Sequence, residues 1–449
     1  MTIPPSREMH LGVFVQIAGH HIGGWRLPEA AMPGENLALA SQIARTAERG
    51  LFDMVFLGDS LSTSAMAAPS VIARFEPLTL LAALAVETRH VGLVATVSTT
   101  YGAPYHVARQ FASLDHLSAG RAGWNVVTST DTGAAQNFGL VEQLDLEARY
   151  DRALEFVDVV RGLWDSWDAG AFPRDKASGR YVDPSRLHAL DHAGRHFRVR
   201  GPLNVDRTPQ GQPVLVQAGS SAPGMAVAAE VAEVIFTAQP TLDEARRFYR
   251  DIKARITAAG RDAARVAVMP GVMPITAPTR AEALALFDRL QSHIDIDLAL
   301  AVLSTEFGFD MAAYPLDAPL PDLPPTVGAV SRAALFRDMA RRDGLTLRQL
   351  ALLAAAARGH HIVIGAPDEI ADDLQLWFES GAADGFNIMP AHFPGGLDAF
   401  VDLVVPILQE RGLFRTRYPG TTLRQSLGLA VPPSRHAAAP SQARSGGLA

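Results

Sequence analysis

The chain has 449 residues, 48% of them hydrophobic and 19% charged, with a net charge of −7 and a pI near 6.1. That is enough apolar chain for one large domain or two ordinary ones, and the mild acidity disfavours nucleic acid and anionic membranes, which reward basic surfaces. There is no cysteine, which removes disulfides, thiolate metal sites and thiol nucleophiles together. The start, MTIPPSREMH, carries proline and charge where a signal peptide needs an apolar core. The longest apolar runs, at 298–304 and 350–357, fall short of the ~20 residues a membrane span requires, so a cytoplasmic protein is expected.

Short, nearly continuous apolar runs alternate with longer amphipathic stretches. Strands are expected at 11–17, 53–58, 91–97, 122–128, 213–219, 233–238, 266–273 and 384–390. Runs of this kind suit parallel strands covered on both faces. Helices are expected from Asn36, a good cap, to Arg49; over 78–88; over 148–167; over 242–259; and from Pro367 to just before Gly381. Eight strand–helix alternations predict an α/β fold, a (β/α)₈ TIM-type barrel, with a doubly wound open sheet as the competitor. Two stretches break the rhythm and read as insertions at the C-terminal face: 168–212, an extended loop rich in Gly, Pro and charge, and 292–365, with further helices near 331–342 and 346–357. The tail 431–449 has little to bury and is expected to be disordered, leaving 1–430 as one barrel domain.

In a parallel barrel the chemistry sits at the C-terminal ends of the strands. There the sequence places Gln16, His20, His21, Trp25 and Arg26 after strand one, Asp59 and Ser60 after strand two, and Thr96 and Ser98 on strand three. Asn125 and Ser129 follow on strand four, and Asn387 and His392 on the last. The turn QAGSSAPG (217–224) puts Ser220 and Ser221 before a helix starting near Pro223, which makes either an anion site or an ordinary serine-capped helix. His20 and His21 do not form a metal site, because neighbouring side chains diverge and no further ligand stands at a fitting spacing. Trp124, Trp164, Trp167 and Trp377 read as core. No dinucleotide or Walker motif is present.

At SAGRAGWNVVTS (118–129) and PQGQPVLVQAGSSAPG (209–224) the chain resembles the bacterial-luciferase-like flavin monooxygenases. More narrowly, it is similar to the nitrilotriacetate and dibenzothiophene-sulfone monooxygenase group. Segments 19–26, 56–60, 96–121, 196–205, 233–239, 370–390 and 411–429 agree in order, so the likeness spans about 9–430. It implies FMN supplied as free FMNH2, dioxygen as co-substrate, and one oxygen atom inserted into a small organic molecule through a peroxide adduct at the flavin 4a carbon. It also implies a separate NAD(P)H:flavin reductase and a homodimer or homotetramer. The family's flavin-contact positions fall on Asp59, Thr96, Tyr150, Ser220 and Ser221. Relatives carry a histidine four residues before that tyrosine, where this chain has Leu146, which cannot hydrogen-bond a flavin through its side chain. With the chemistry on the cofactor, His20 or His21 is expected to carry protons and Arg26 to neutralise an acidic substrate. A deazaflavin-dependent oxidoreductase of the same barrel, a non-enzymatic flavin-binding protein and a metal-dependent barrel hydrolase are the other readings. Ala65, Met66, Ala67, Ala68, Phe307, Phe309 and Met311 are expected to line the substrate side, which favours an aromatic or alkyl substrate over a polyacid.

Overall fold

The computed structural model describes residues 7–65, 67–129, 132–324 and 330–437; Met66 and the end of the expected disordered tail lie outside them. The strands are β1 (His10–Val15), β2 (Met54–Leu57), β3 (Gly92–Ser98), β4 (Ala122–Val127), β5 (His192–Ala193), β6 (Arg198–Val199), β7 (Val214–Ala218), β8 (Val234–Thr237), β9 (Ala267–Thr276), β10 (His361–Gly365) and β11 (Gly385–Ile388). Strands β1, β2, β3, β4, β7, β8, β9 and β11 pair in parallel, each with the next, and β11 closes onto β1. The eight predicted strands are these eight, and the sheet closes rather than staying open.

Closure follows from the side chains. The strands are buried on both faces, so one face must pack outward on helices and the other must fill the barrel. Inside, Phe14, Phe56 and Phe236 meet with ring centroids 5.0–5.5 Å apart, with Met54, Met269 and Met273 in the same cluster. Outside, the helix Leu37–Arg49 is capped by the Asn36 side chain as predicted, and packs Leu39, Ile43 and Ala47 inward. Trp124, Trp164 and Trp377 are buried, and the indole N–H groups of Trp124 and Trp164 donate to the carbonyls of Val97 and Ala108.

The insertions differ from expectation. Residues 168–212 hold a short hairpin, β5–β6, strapped to the helix Leu146–Trp164 by Glu155, whose carboxylate takes bonds from His192 and from the amides of His196 and Phe197. Residues 292–365 carry the two expected helices and a third before them. Helices Ile296–Phe307, Val330–Asp343 and Leu347–Ala357 build their own core around Phe307, Met311, Phe336 and Leu350. The chain then enters β10, a strand the sequence reading missed, which runs parallel to β9 from Val272 to Thr276.

The C-terminal segment seals the other end of the barrel. Leu423 and Leu427 join the interior cluster. A Cβ on Gly92 would lie 2.5 Å from Leu423 Cδ1, so the small residue there is what admits the plug. Arg415 pairs with buried Asp53, and Arg424 with Glu233 at 2.7 Å. The described chain stays packed past 430: Pro432 O accepts from Arg207 at 3.1 Å, and the His436 ring stacks on His188 at 4.0 Å.

Candidate functional site

The open mouth lies where the resemblance and the strand ends both point. Asp59, Thr96, Ser98 and Ser129 line a recess of about 260 Å³. Asp59 Oδ1 accepts from the Ser60 amide at 2.8 Å, yet burial pushes its carboxyl up to about 6, against the pull of that bond and of Arg74. The Thr96 hydroxyl donates to Leu57 O at 2.8 Å and accepts from Asn125 Nδ2 at 2.9 Å. Asn125 Oδ1 is buried with no protein partner, a cost that a bound donor would offset. Ser129 sits at a φ of 43°, in the left-handed region, and its hydroxyl donates to Ser98 Oγ at 2.8 Å. Strain of this kind is costly for a residue other than glycine, and collects at functional sites.

The turn after β7 supplies a second polar surface on the same rim. Ser221 caps the helix Ala222–Val231 by accepting from the Gly224 amide at 3.2 Å. Its hydroxyl also meets the Tyr150 hydroxyl at 3.2 Å. A Cβ on Gly224 would stand 3.0 Å from Ser221 Oγ and 3.1 Å from Tyr150 Oη, so a side chain there would crowd both hydroxyls. Helix-start amides, two serines and a phenol fit a phosphate by geometry and by dipole. Beside them, Ser220, Gly219, Phe236 and His360 line a smaller recess of about 90 Å³. One element joins the two surfaces: the helix Leu146–Trp164 sends Arg149 to the Ser129 carbonyl and Tyr150 to Ser221. Leu146, its first residue, is exposed.

The two histidines are placed differently. His21 is fully used within the protein: its Nδ1 accepts from the Gly23 amide at 3.1 Å, which leaves Nε2–H to donate to Gln291 Oε1 at 3.1 Å. His20 donates from Nε2 to Phe14 O at 2.7 Å, and its Nδ1 is buried without a partner. Burial lowers both, His20 to about 3 and His21 to about 4, so both rings are neutral at physiological pH. Arg26 is exposed, and its guanidinium donates to His293 O at 2.9 Å.

The expected apolar lining is corrected. Phe307 and Met311 are completely buried and pack with Ala68 and Phe309 in the helical insertion's own core, where they fill space rather than bound a cavity. The residues missed were Arg332, Arg358 and His360, all from the insertion. Arg358 and His360 had one signal, the basic run Arg358-Gly359-His360-His361 leading into β10, and Arg332 had none. Among the described residues, no group of three or more metal-ligating side chains is gathered. No helix is long and apolar enough to cross a membrane.

Known proteins share this architecture. The chain is 52% identical over 96% of its length to N-acetyl-S-(2-succino)cysteine monooxygenase of Bacillus subtilis (strain 168), of which 99% is covered. It is 47% identical over 95% of its length to nitrilotriacetate monooxygenase component A of Aminobacter aminovorans, of which 98% is covered. The solved structure of a riboflavin lyase with modified FMN and riboflavin superimposes with a TM-score of 0.85 at 33% identity, covering 94% of this chain and 96% of that one. The sequence pattern of the luciferase-like monooxygenases matches residues 9–384, and with the closed barrel and its polar rim this makes the chain an enzyme of the luciferase-like monooxygenase family.

Proposed function

We propose that the chain is the oxygenase of a two-component system, acting on a small organic substrate with FMNH2 and dioxygen. The observation that carries this reading is the pair of surfaces on one rim, joined by Arg149 and Tyr150. Tyr150, Ser220 and Ser221 would hold the phosphate, and Asp59 and Thr96 the ring system. The bound cofactor would supply two electrons, so that one atom of dioxygen enters the substrate and the other leaves as water.

The chain's own task is to bind, orient and keep water out. The filled barrel floor at Phe14, Phe56 and Phe236 gives the ligands a dry base. His20 keeps a buried Nδ1 lone pair with no protein donor, and burial holds its ring neutral, so it would accept a hydrogen bond rather than take up a proton; His21 holds the β1 loop in shape. A separate NAD(P)H:flavin reductase would supply the reduced flavin in the cytoplasm, and a homodimer or homotetramer is the working form. The name "component A" of one relative fits a divided system.

The test is to mix anaerobic FMNH2, protein and substrate, then admit isotopically labelled dioxygen. One labelled oxygen in the product is expected. Tight FMN binding with hydrogen peroxide as the sole product would mark a flavin-binding protein instead. Affinity for a deazaflavin exceeding that for FMN would favour the reductase reading of the same barrel.

A further inference from the structure

Three guanidinium groups gather where the helical insertion meets the barrel mouth. Arg358 lies in the left-handed region at a φ of 50° and is only partly buried. It donates to Gln16 Oε1 at 2.9 Å and to Ser70 Oγ at 3.1 Å. Arg332 donates to the Arg358 carbonyl, and Arg74 to Gly58 O at 3.2 Å, with its Nε buried and unpartnered. Every one of these acceptors is neutral. Asp59 near Arg74 and Glu306 near Arg358 act on them only at longer range. Burial is the main reason Arg358 falls to about 10, and its two arginine neighbours push the same way.

Arginine in a recess is normally paired with a carboxylate or phosphate, because its desolvation goes otherwise uncompensated. The two acceptors of Arg358 sit after β1 and in the short helix Pro69–Ile72, on the side of β1 and β2. The helix cap at Ser221 stands after β7. One anion, the cofactor's phosphate, is accounted for at that cap.

We propose that Arg358, with Arg74 beside it, binds a carboxylate of the substrate, so that the enzyme takes a carboxylate-bearing small molecule rather than a neutral arene or alkane. This rests on reading the mouth as the site of oxygenation. It reverses the expectation drawn from the apolar residues of the insertion, which are spent on that insertion's core. Arg332 shares a recess with Ser220 and His360 and donates to the Arg358 carbonyl.

The probes are N-acetyl-S-(2-succino)cysteine and its methyl esters, used on the full chain loaded with FMN. The acid is expected to bind, by calorimetry, at least about tenfold more tightly than the esters. Arg358→Gln is expected to weaken the acid about 10- to 100-fold and narrow the acid-over-ester preference, with Arg358→Lys recovering part of the loss. FMN affinity in both variants stays within about threefold, which also reports an intact fold. Esters binding as well as the acid would overturn the proposal, as would an Arg358→Gln loss that falls on FMN instead. Tight, Arg358-dependent binding of the acid without oxygenation would leave the anion site standing and sink the oxygenase reading. Oxygenation confined to neutral substrates would do the reverse.

Discussion

Single residues at the mouth divide into those whose role was legible and those whose role needed a partner. The turn at Ser220 and Ser221 was legible as an anion site or a serine-capped helix, and the cap at Ser221 is present. Tyr150 was readable only by resemblance, since nothing local says that a helical tyrosine will meet a serine seventy-one residues on. Tyr150→Phe removes that hydroxyl and should raise the Kd for FMN about tenfold, with riboflavin, which lacks the phosphate, unaffected. Fluorescence quenching on titration with each flavin checks this; an equal loss for both would move Tyr150 away from the phosphate. His20 and His21 looked equivalent in sequence. The fold separates them, because the loop after β1 turns one ring onto Phe14 and the other onto Gln291.

At the scale of elements, apolar patterning located every barrel strand within a few residues, because a strand covered on both faces must be apolar throughout. β10 escaped because HIVIG (361–365) follows a long insertion and gains its identity from β9, whose ten residues outrun β8 and leave backbone to pair. The 411–429 segment was legible as family-like but not as a plug. Its anchor is Arg415 against Asp53, a buried pair in which Asp53 also accepts from the Leu11 amide at 2.8 Å. The charge of Arg415 and the hydrogen bonds from Arg415 and the His10 ring hold the Asp53 carboxyl below its ordinary range despite burial. Arg415→Met should therefore cost about 3–5 kcal/mol, since it strands a buried carboxylate. The double variant with Asp53→Leu should recover much of that loss. Urea titration of the two variants measures both effects, and a single variant as stable as the parent would show that the segment is not anchored there.

Across the whole molecule, burial of neutral imidazoles sets the response to acid. Unfolded, His20 and His21 take up protons below about 6.5, whereas folded they resist to about 3 and about 4. His360 is lowered in the same direction, by burial first. Over that window the unfolded chain binds more protons, so stability falls as pH falls, by about 2 kcal/mol per such histidine at pH 5. Asp59 opposes this: raised to about 6 from 3.8, it holds its proton longer in the folded chain and favours folding as pH drops between those values. Asp59 and Asp115, both raised by burial, oppose His20, His21, His360 and His392, all lowered by it; the imidazoles outnumber the carboxyls, so the urea midpoint is expected to decline steadily from pH 7 to pH 4.5. A midpoint that is flat or rises over that range would contradict the burial of these rings.

The sequence by itself determined the barrel and its strand positions, together with the serine turn after β7, because these follow from local periodicity and turn chemistry. Resemblance within the sequence added the family. Only the tertiary structure decided which histidine keeps a free nitrogen. It alone packed the helices of 292–365 around a core of their own, with Phe307 and Met311 inside it rather than lining the site. It also brought Arg74, Arg332 and Arg358 together from separate segments. Periodicity reports which face of an element is buried, whereas convergence of side chains from distant segments depends on how the barrel closes and what the insertion packs against.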